Sequence, residues 1–281
     1  MATSQTPTRR LHGRRVAITG AARGIGLATA RACLAEGASV VLGDVDEVAV
    51  KEAAAGLGDR ALALSLDVTD AASLASFVDE AAAWLGGLDV MINNAGVMPI
   101  GPFLDLEDDV EHRSLLINVQ GVLTGMRLAL RRFTAQGHGH VVNVASTAGL
   151  APIPGGVTYC AEKAAVIHAT EAARVEFGSE RLHLTCVMPA FTNTDLVAGT
   201  SGLKGIANIE PEDVAAGIVE ALHSGRKDVF VPRIVGPMLR SQPFLGRRLR
   251  DALNTRMGAY DTFLRFDAAA RADYAARVKR S

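Results

Sequence analysis

Nowhere does the chain carry an apolar run long enough to cross a bilayer, so a membrane-spanning helix is not expected. Aromatic residues make up 5% of the 281 positions, with Trp84 the single tryptophan, too few for a base-stacking platform. Neither sign of charge prevails. Against 29 Lys+Arg stand 30 Asp+Glu, and a net charge of −1 gives no general attraction to nucleic acid or an anionic membrane. Cysteine is scarce: Cys33, Cys160 and Cys186 have neither metal-ligand nor disulfide-framework spacing, which fits a reducing, cytoplasmic compartment. No apolar stretch backs "MATSQTPTRR", so residues 1–13 read as a flexible tail rather than a signal peptide. Internal repeats and low-complexity tracts are also absent.

What the chain has is alternation. The short runs "RRVAIT", "SVVL", "ALALSL", "DVMIN", "HVVNVA", "LHLTCVM" and "DVFV" read as strands. Between them, helices are expected to start near Ile25, Asp46, Asp70, Asp105, Val157 and Pro211. Asp70 suits an N-cap and Pro211 a first helical turn. Apolar strands alternating with helices imply parallel βαβ units buried on both faces. The expected fold is α/β: one doubly wound domain over residues 14–232, with a seven-stranded parallel sheet and helices on both sides. Ligands bind such sheets at the carboxyl ends of the strands, and the chemistry-bearing motifs fall there.

Strand one runs into "TGAARGIG". Gly20, Gly24 and Gly26 permit a tight turn and let backbone N–H groups, Arg23 and Ile25 among the loop residues, approach a pyrophosphate at a helix N-terminus. A glycine-rich turn of no special function would look the same, and the spacing differs from G-x-G-x-x-G. Asp44 ends strand two, 18 residues after Gly26, where a carboxylate accepts hydrogen bonds from a ribose diol and repels a 2′-phosphate. NAD is therefore favoured over NADP, although Arg23 offers a guanidinium to a 2′-phosphate. Asp67 and Val68 are placed to line the adenine, or to form a solvated turn. Asn93, Asn94, Ala95 and Gly96 follow strand four, where amides can tie loops together and glycine keeps the backbone open.

Ser146 stands at the end of strand five, and Tyr159 and Lys163 follow in "TYCAEKAAV". At i and i+4 of a helix the phenol and ammonium share one face. A free phenol has a pKa near ~10. A neighbouring ammonium and a cationic nicotinamide are expected to lower it, making Tyr159 an acid–base group, with Ser146 holding the substrate oxygen.

Taken in order, "TGAARGIG", "NNAG", Ser146 and "YCAEK" resemble the short-chain dehydrogenase/reductase family in its compact single-domain form, over about residues 14–232. The resemblance implies a Rossmann-type sheet, a nicotinamide cofactor, and interconversion of a secondary alcohol and its ketone. It makes Tyr159 the general acid/base, Lys163 the holder of the nicotinamide ribose, Ser146 the ligand of the substrate oxygen, and Asn118 the support of a water relay. Pro189 and Thr194, in "PAFTNT", would face the nicotinamide, with Ala190 where the family usually has glycine. Glu162 stands where serine is frequent and receives no catalytic role. A homodimer or homotetramer is implied through the long helices near 105–136 and 157–178. An NADPH-dependent 3-oxoacyl-type ketoreductase is the near alternative, and a non-catalytic dinucleotide-sensing scaffold is the alternative from another class.

Met98, Pro99, Ile100, Leu150, Val157, Phe191 and Leu196 are expected either to wall an apolar substrate pocket or to be ordinary core. Residues 195–208 read as a lid. Cys160 is expected to be a buried thiol, His138 and His140 a loop pair rather than metal ligands, and His168 a residue that packs or faces a partner subunit. The 49 residues from 233 to 281 stand apart, with 11 Lys+Arg against 4 Asp, while the remainder has 18 against 26 Asp+Glu. This basic helical extension carries Leu245, Leu249, Leu253 and Met257 at intervals of four. Packing over the domain or a neighbouring subunit is the expected role, and surface binding to an anionic membrane the alternative.

Overall fold

β-branched and apolar runs are buried along both faces here because each strand lies between helices, and the sheet they build is parallel throughout. The computed structural model describes residues 10–202, 207–256 and 258–280, without the side chains of Pro243, Leu253 and Arg280. The strands are β1 (Arg15–Thr19), β2 (Ser39–Asp44), β3 (Ala61–Ser65), β4 (Val90–Asn93), β5 (Gly139–Val144), β6 (Leu182–Pro189) and β7 (Asp228–Val231). They stand in the order β3-β2-β1-β4-β5-β6-β7. The order reverses between β1 and β4, so the crevice that such sheets offer a ligand opens beside the glycine loop.

Side chains alternate across the sheet. Val16 and Ile18 of β1 enter one core layer with Ala30 and Ile218, whereas Ala17 enters the other with Phe77, Met91 and Phe133. The first layer lies under α1 (Gly24–Ala35) and α7 (Pro211–Ser224), the second under α3 (Ala71–Leu85) and α5 (Val122–Gln136). Local signals start the helices. Asp46 caps α2 (Glu47–Ala55) by accepting from Ala49 N, Asp70 caps α3 through Ala72 N, and Glu210 with Asp213 forms a capping box ahead of Pro211.

The helix expected from Asp105 is broken into pieces. A 3-10 turn, Phe103–Asp105, precedes α4 (Asp108–Leu115), and a π-helical segment, Leu116–Gly121, joins it to α5. Gly125 permits this close packing, since a Cβ there would lie 2.2 Å from Asn93 Oδ1. The wider π turn carries Asn118 into the interior. α6 (Val157–Phe177) spans nearly the expected residues.

At the N-terminus, residues 1–9 lie outside the described residues, but the expected free tail does not extend to 13. Leu11 is buried in the core, its N–H donating to Glu36 O, because its apolar side chain fills the end of the first layer. The extension folds as α8 (Val235–Ser241), α9 (Arg247–Arg256) and α10 (Ala268–Arg280). Val235 and Leu239 pack on Phe230 of β7. The four-residue stripe does not account for the extension's packing: Leu245 is half-buried, Leu249 is 54% exposed, and the Leu253 side chain and Met257 lie outside the described residues. The basic face instead gives way to a second apolar set, Phe263, Tyr274 and Val278, all buried. No described helix is long and apolar enough to cross a membrane.

Phe133 anchors the second layer against Gly139, where an added Cβ would come within 2.2 Å of its ring. Phe133→Ala is expected to lower the unfolding free energy by about 3–5 kcal/mol, read from urea denaturation.

Candidate active site

The carboxyl ends of β1, β2, β4, β5 and β6 open onto one cavity of about 780 Å³. Its floor is a stitched pair of loops. Gly20 and Gly24 have φ of +65° and +54°, which glycine adopts without strain. A Cβ on Gly20 would stand 2.6 Å from Ala95 Cα, so the loop after β1 presses directly on the loop after β4. Asn94 Nδ2 donates to both Thr19 O and Gly20 O at 2.9 Å, and Thr19 Oγ1 accepts from the N–H groups of Asn94 and Ala95. Gly26 does not line the cavity. It lies behind the loop, where a Cβ would meet Gly20 O at 2.3 Å and Asn94 Nδ2 at 2.7 Å.

Gly20, Arg23, Gly24, Ile25, Asp44, Asp67, Val68, Asn94, Ala95 and Gly96 line one part of this cavity, and Ser146, Tyr159, Lys163, Pro189 and Thr194 line the other. Asp44 is held still: its two carboxylate oxygens accept from Ala22 N at 3.0 Å and Asp46 N at 3.1 Å. Arg23 is taken up by Asp46 at 2.5 Å. Asp67 accepts from the N–H and hydroxyl of Thr69, so its side chain also shapes its own turn. Ala190 is not at positive φ, and its N–H joins β7 through Val231 O at 2.8 Å. Thr194 then lies against Gly24, 3.3 Å from where a Cβ would sit.

Tyr159 and Lys163 are 5% and 4% exposed on α6. Lys163 Nζ donates to Val144 O at 3.1 Å and stands 5.7 Å from the Tyr159 ring centre. Ser146 Oγ accepts from Ala148 N and is hydrogen-bonded to Tyr159. Gly149 sets that distance, because its missing side chain lets the turn after Ser146 rest on the α6 backbone, with Lys163 C 2.7 Å from a built Cβ. Asn118 is fully buried behind Gly96 rather than on the cavity wall. Its amide clips Val97 through Val97 N–H (3.0 Å) and Val97 O (2.7 Å).

Burial dominates the electrostatics of this pair. The expectation that the ammonium lowers the phenol pKa is not met by the protein's own groups: desolvation pushes Tyr159 well above the usual phenol range, and only the Ser146 hydrogen bond opposes it. Desolvation likewise pulls Lys163 down to about 8, with nearby Glu162 acting against it.

Glu162 is the residue whose place the sequence did not disclose. It is 1% exposed, and its Oε2 accepts from Asn118 Nδ2 at 2.6 Å and Ser114 Oγ at 3.0 Å, while burial raises its carboxyl. The usable signal was spacing, since i+3 from Tyr159 shares the face of i+4. Also unforeseen are Phe263, Tyr274 and Arg277 of the extension, which line the cavity.

Several expectations are corrected. Met98, Phe191 and Leu196 line the cavity, with Ile153 and Val197, but Leu150 and Val157 point outward. Val157, 49% exposed, precedes Tyr159 by two residues, roughly 200° around the helix, so it faces away from the cleft. Pro99 and Ile100 lie off the cavity wall, Ile100 packing behind Met98. Cys160 is half-buried, its Sγ 4.0 Å from Ile153 O. His140 is not in a loop: β5 includes it, buried, with Nε2 2.8 Å from Thr185 Oγ1. His168 is exposed. Among the described residues no His/Cys/Asp/Glu group could hold a metal. The lid span holds a 3-10 turn, Asp195–Val197, and its residues 203–206 lie outside the described residues.

The sequence model of the short chain dehydrogenase family matches residues 14–202. A probable oxidoreductase, EphD, of Mycobacterium tuberculosis is 35% identical over 235 residues, 81% of this chain; the chain spans 40% of that relative's length. The cis-4-hydroxycyclohexanecarboxylate dehydrogenase of Sinomonas cyclohexanicum is 41% identical over 185 residues, 65% of this chain and 74% of the relative. A short chain dehydrogenase/reductase from Burkholderia phymatum, solved in complex with NAD, superposes with a TM-score of 0.75 at 25% identity, covering 83% of this chain and 94% of its own.

Between pH 8 and 10.5 the unfolded chain retains a proton that folded Lys163 has released, so this residue makes stability rise with pH across that window. Lys163→Met is expected to raise the unfolding free energy at pH 7 by on the order of 2–3 kcal/mol. Denaturant titrations over a pH series should show that gain shrinking through the window and gone above it.

Proposed function

The chain belongs to the short-chain dehydrogenase family, and from that premise we propose that it is an NAD-dependent oxidoreductase interconverting a lipophilic secondary alcohol and its ketone. The observation that carries this reading is the placement of Tyr159, Lys163 and Ser146 on one cavity with the glycine loop. The residues present suit a nicotinamide dinucleotide: the Gly20–Gly24 turn is a cradle that side chains would fill, and the Asp44 carboxylate stands on the cavity wall. When bound, the dinucleotide accepts a hydride from the alcohol carbon and returns it in the reverse direction.

In oxidation Tyr159 Oη, as the phenolate, takes the proton of the substrate hydroxyl; in reduction it returns that proton to the carbonyl oxygen. Ser146 Oγ holds the same oxygen and stabilises its developing charge. Lys163 would hold the nicotinamide ribose through its ammonium donors. Asn118 fixes the loop at Gly96 and Val97 through both edges of its amide. Burial alone leaves the phenol protonated, so Tyr159 needs a positive counter-charge to act as a base, which an oxidised nicotinamide held by these residues would supply.

Asp44 supports NAD over NADP, because a fixed carboxylate opposes a 2′-phosphate, and the guanidinium that could compensate, Arg23, is engaged by Asp46. That choice also separates this reading from an NADPH-dependent ketoreductase. A scaffold that only senses dinucleotide needs no buried Tyr–Lys pair. The exposed apolar side chains of Leu115, Val157 and Val175 on α4 and α6 support a homodimer or homotetramer. Three free cysteines fit a cytoplasmic setting.

Tyr159→Phe is expected to lower kcat by about 10²–10⁴ while NADH binding, followed by fluorescence, stays near wild type. Turnover close to wild type would remove Tyr159 from the reaction. Asp44→Ala should narrow the preference for NADH over NADPH by roughly ten- to a hundredfold in kcat/KM; an unchanged ratio would refute the role given to Asp44.

A further inference from the structure

The extension does more than cover the domain; residues 259–279 run along the substrate end of the cavity. Phe263 is fully buried and packs with Met98, Ala148 and Tyr159. Its ring centre lies 5.6 Å from that of Phe191. Gly155 and Gly156 make room for it: a Cβ on either would come within 2.8 Å of Phe263 atoms. Whatever binds beside Ser146 and Tyr159 therefore meets an apolar wall of Met98, Ile153, Phe191, Leu196, Val197 and Phe263.

Arg271 holds this wall in place. It is 5% exposed and, among the described residues, forms no ion pair with a carboxylate. Its guanidinium donates to Met98 O at 2.5 Å, Leu196 O at 2.6 Å and Ala198 O at 3.1 Å, and lies 4.5 Å from the Tyr274 ring centre. Tyr274 Oη accepts from Met98 N at 2.7 Å. One side-chain pair on α10 thus binds the backbone of the loop after β4 and of the loop after β6. Further ties reinforce it: Asp267 N to Gly199 O, Thr262 Oγ1 to Gly202 O, Arg277 to Asp195, and Lys279 to Glu107. A buried guanidinium satisfied only by carbonyls is costly to form, and it persists where surrounding structure demands its donors.

We propose that this segment is a specificity strap: Arg271 and Tyr274 are positioning residues that join the two substrate loops, and Phe263 is the specificity-determining residue that fits the pocket to an uncharged, apolar secondary alcohol. The choice of an uncharged substrate follows from where the cations go. Among the described residues, the extension's two cations nearest the apolar Phe263 wall are taken up within the protein, Arg271 by three carbonyls and Arg277 by Asp195. This inference deepens the alcohol-dehydrogenase reading and rests on it for the identity of the reacting end.

The test uses the full chain with NAD and a graded series of secondary alcohols, namely cyclohexanol, 1-phenylethanol and a decalinol, each beside a carboxylated analogue. Binding is read by ligand-observed NMR and turnover by NADH formation. Wild type is expected to bind the uncharged members about tenfold or more tightly than their carboxylated analogues, and Phe263→Ala to shift the affinity ranking toward the bulkier alcohols by about tenfold. Equal binding of carboxylated members, or an equal loss across the series in Phe263→Ala, would overturn the proposal. Phe263→Leu serves as a milder variant should the alanine variant fold poorly, with a smaller shift in the same direction. Arg271→Met should speed backbone amide exchange at 97–101 and 195–202 while the strand amides stay protected; unchanged exchange in both loops would refute the positioning role. Binding with the expected ranking but no turnover would support the strap and sink the catalytic reading instead.

Discussion

The structure turns on keeping an ammonium and a phenol away from water on consecutive turns of one helix. Lys163 is excluded from solvent, with the Val144 carbonyl as its hydrogen-bond partner, and Tyr159 is sealed beside it. Desolvation is the largest influence on both, and it works against both charged forms. Such a pair is unfavourable for the fold and useful only to chemistry that supplies or removes charge at that spot. The neighbouring architecture reads as support for it: Gly149 lets the Ser146 turn rest on α6, the π segment brings Asn118 inward, and Glu162 holds Asn118 from behind.

The sheet gives this pair its partners. Parallel order with a reversal between β1 and β4 places the glycine loop, Asp44 and the Ser146 turn around a single opening, although the Ser146 turn comes more than a hundred residues after the other two. The stitching of Asn94 to Thr19 and Gly20 makes the loop floor rigid before any ligand arrives, which lowers the entropic cost of binding. At the other end the wall comes from residues far along the chain. Met98 meets Tyr274 and Arg271, so the substrate end closes through contacts spanning more than 170 residues.

This contrast explains how much could be read from the sequence alone. The seven strands, the caps at Asp46 and Asp70 and the start of α7 at Pro211 rest on short-range rules, and they stand where expected. The loop motifs converge on one cavity because each follows a strand and strand ends share an edge, and α6 brings Tyr159 and Lys163 to the same edge. The two motif residues that stand back from the cavity, Gly26 and Asn118, act through packing and backbone hydrogen bonds. Long-range features were not legible. Nothing local in "GAYDTFLRFDAAARADYAARVK" shows that Phe263 and Tyr274 face a pocket, and the more regular leucine stripe upstream drew attention instead. Leu150 and Val157 were misplaced because proximity to a motif says little about which side of a helix a residue takes. The phenol's environment divides the same way: a charge four residues away is visible in sequence, whereas the depth of burial that raises the phenol is not.

The sealed pair can be observed without any substrate. With lysine side chains labelled by 13C, an NMR pH titration of the folded protein should show one lysine titrating near 8, assigned to Lys163 by its disappearance in Lys163→Met. Every lysine titrating in the ordinary range would mean that Lys163 reaches water, and the account of the site would fail with it.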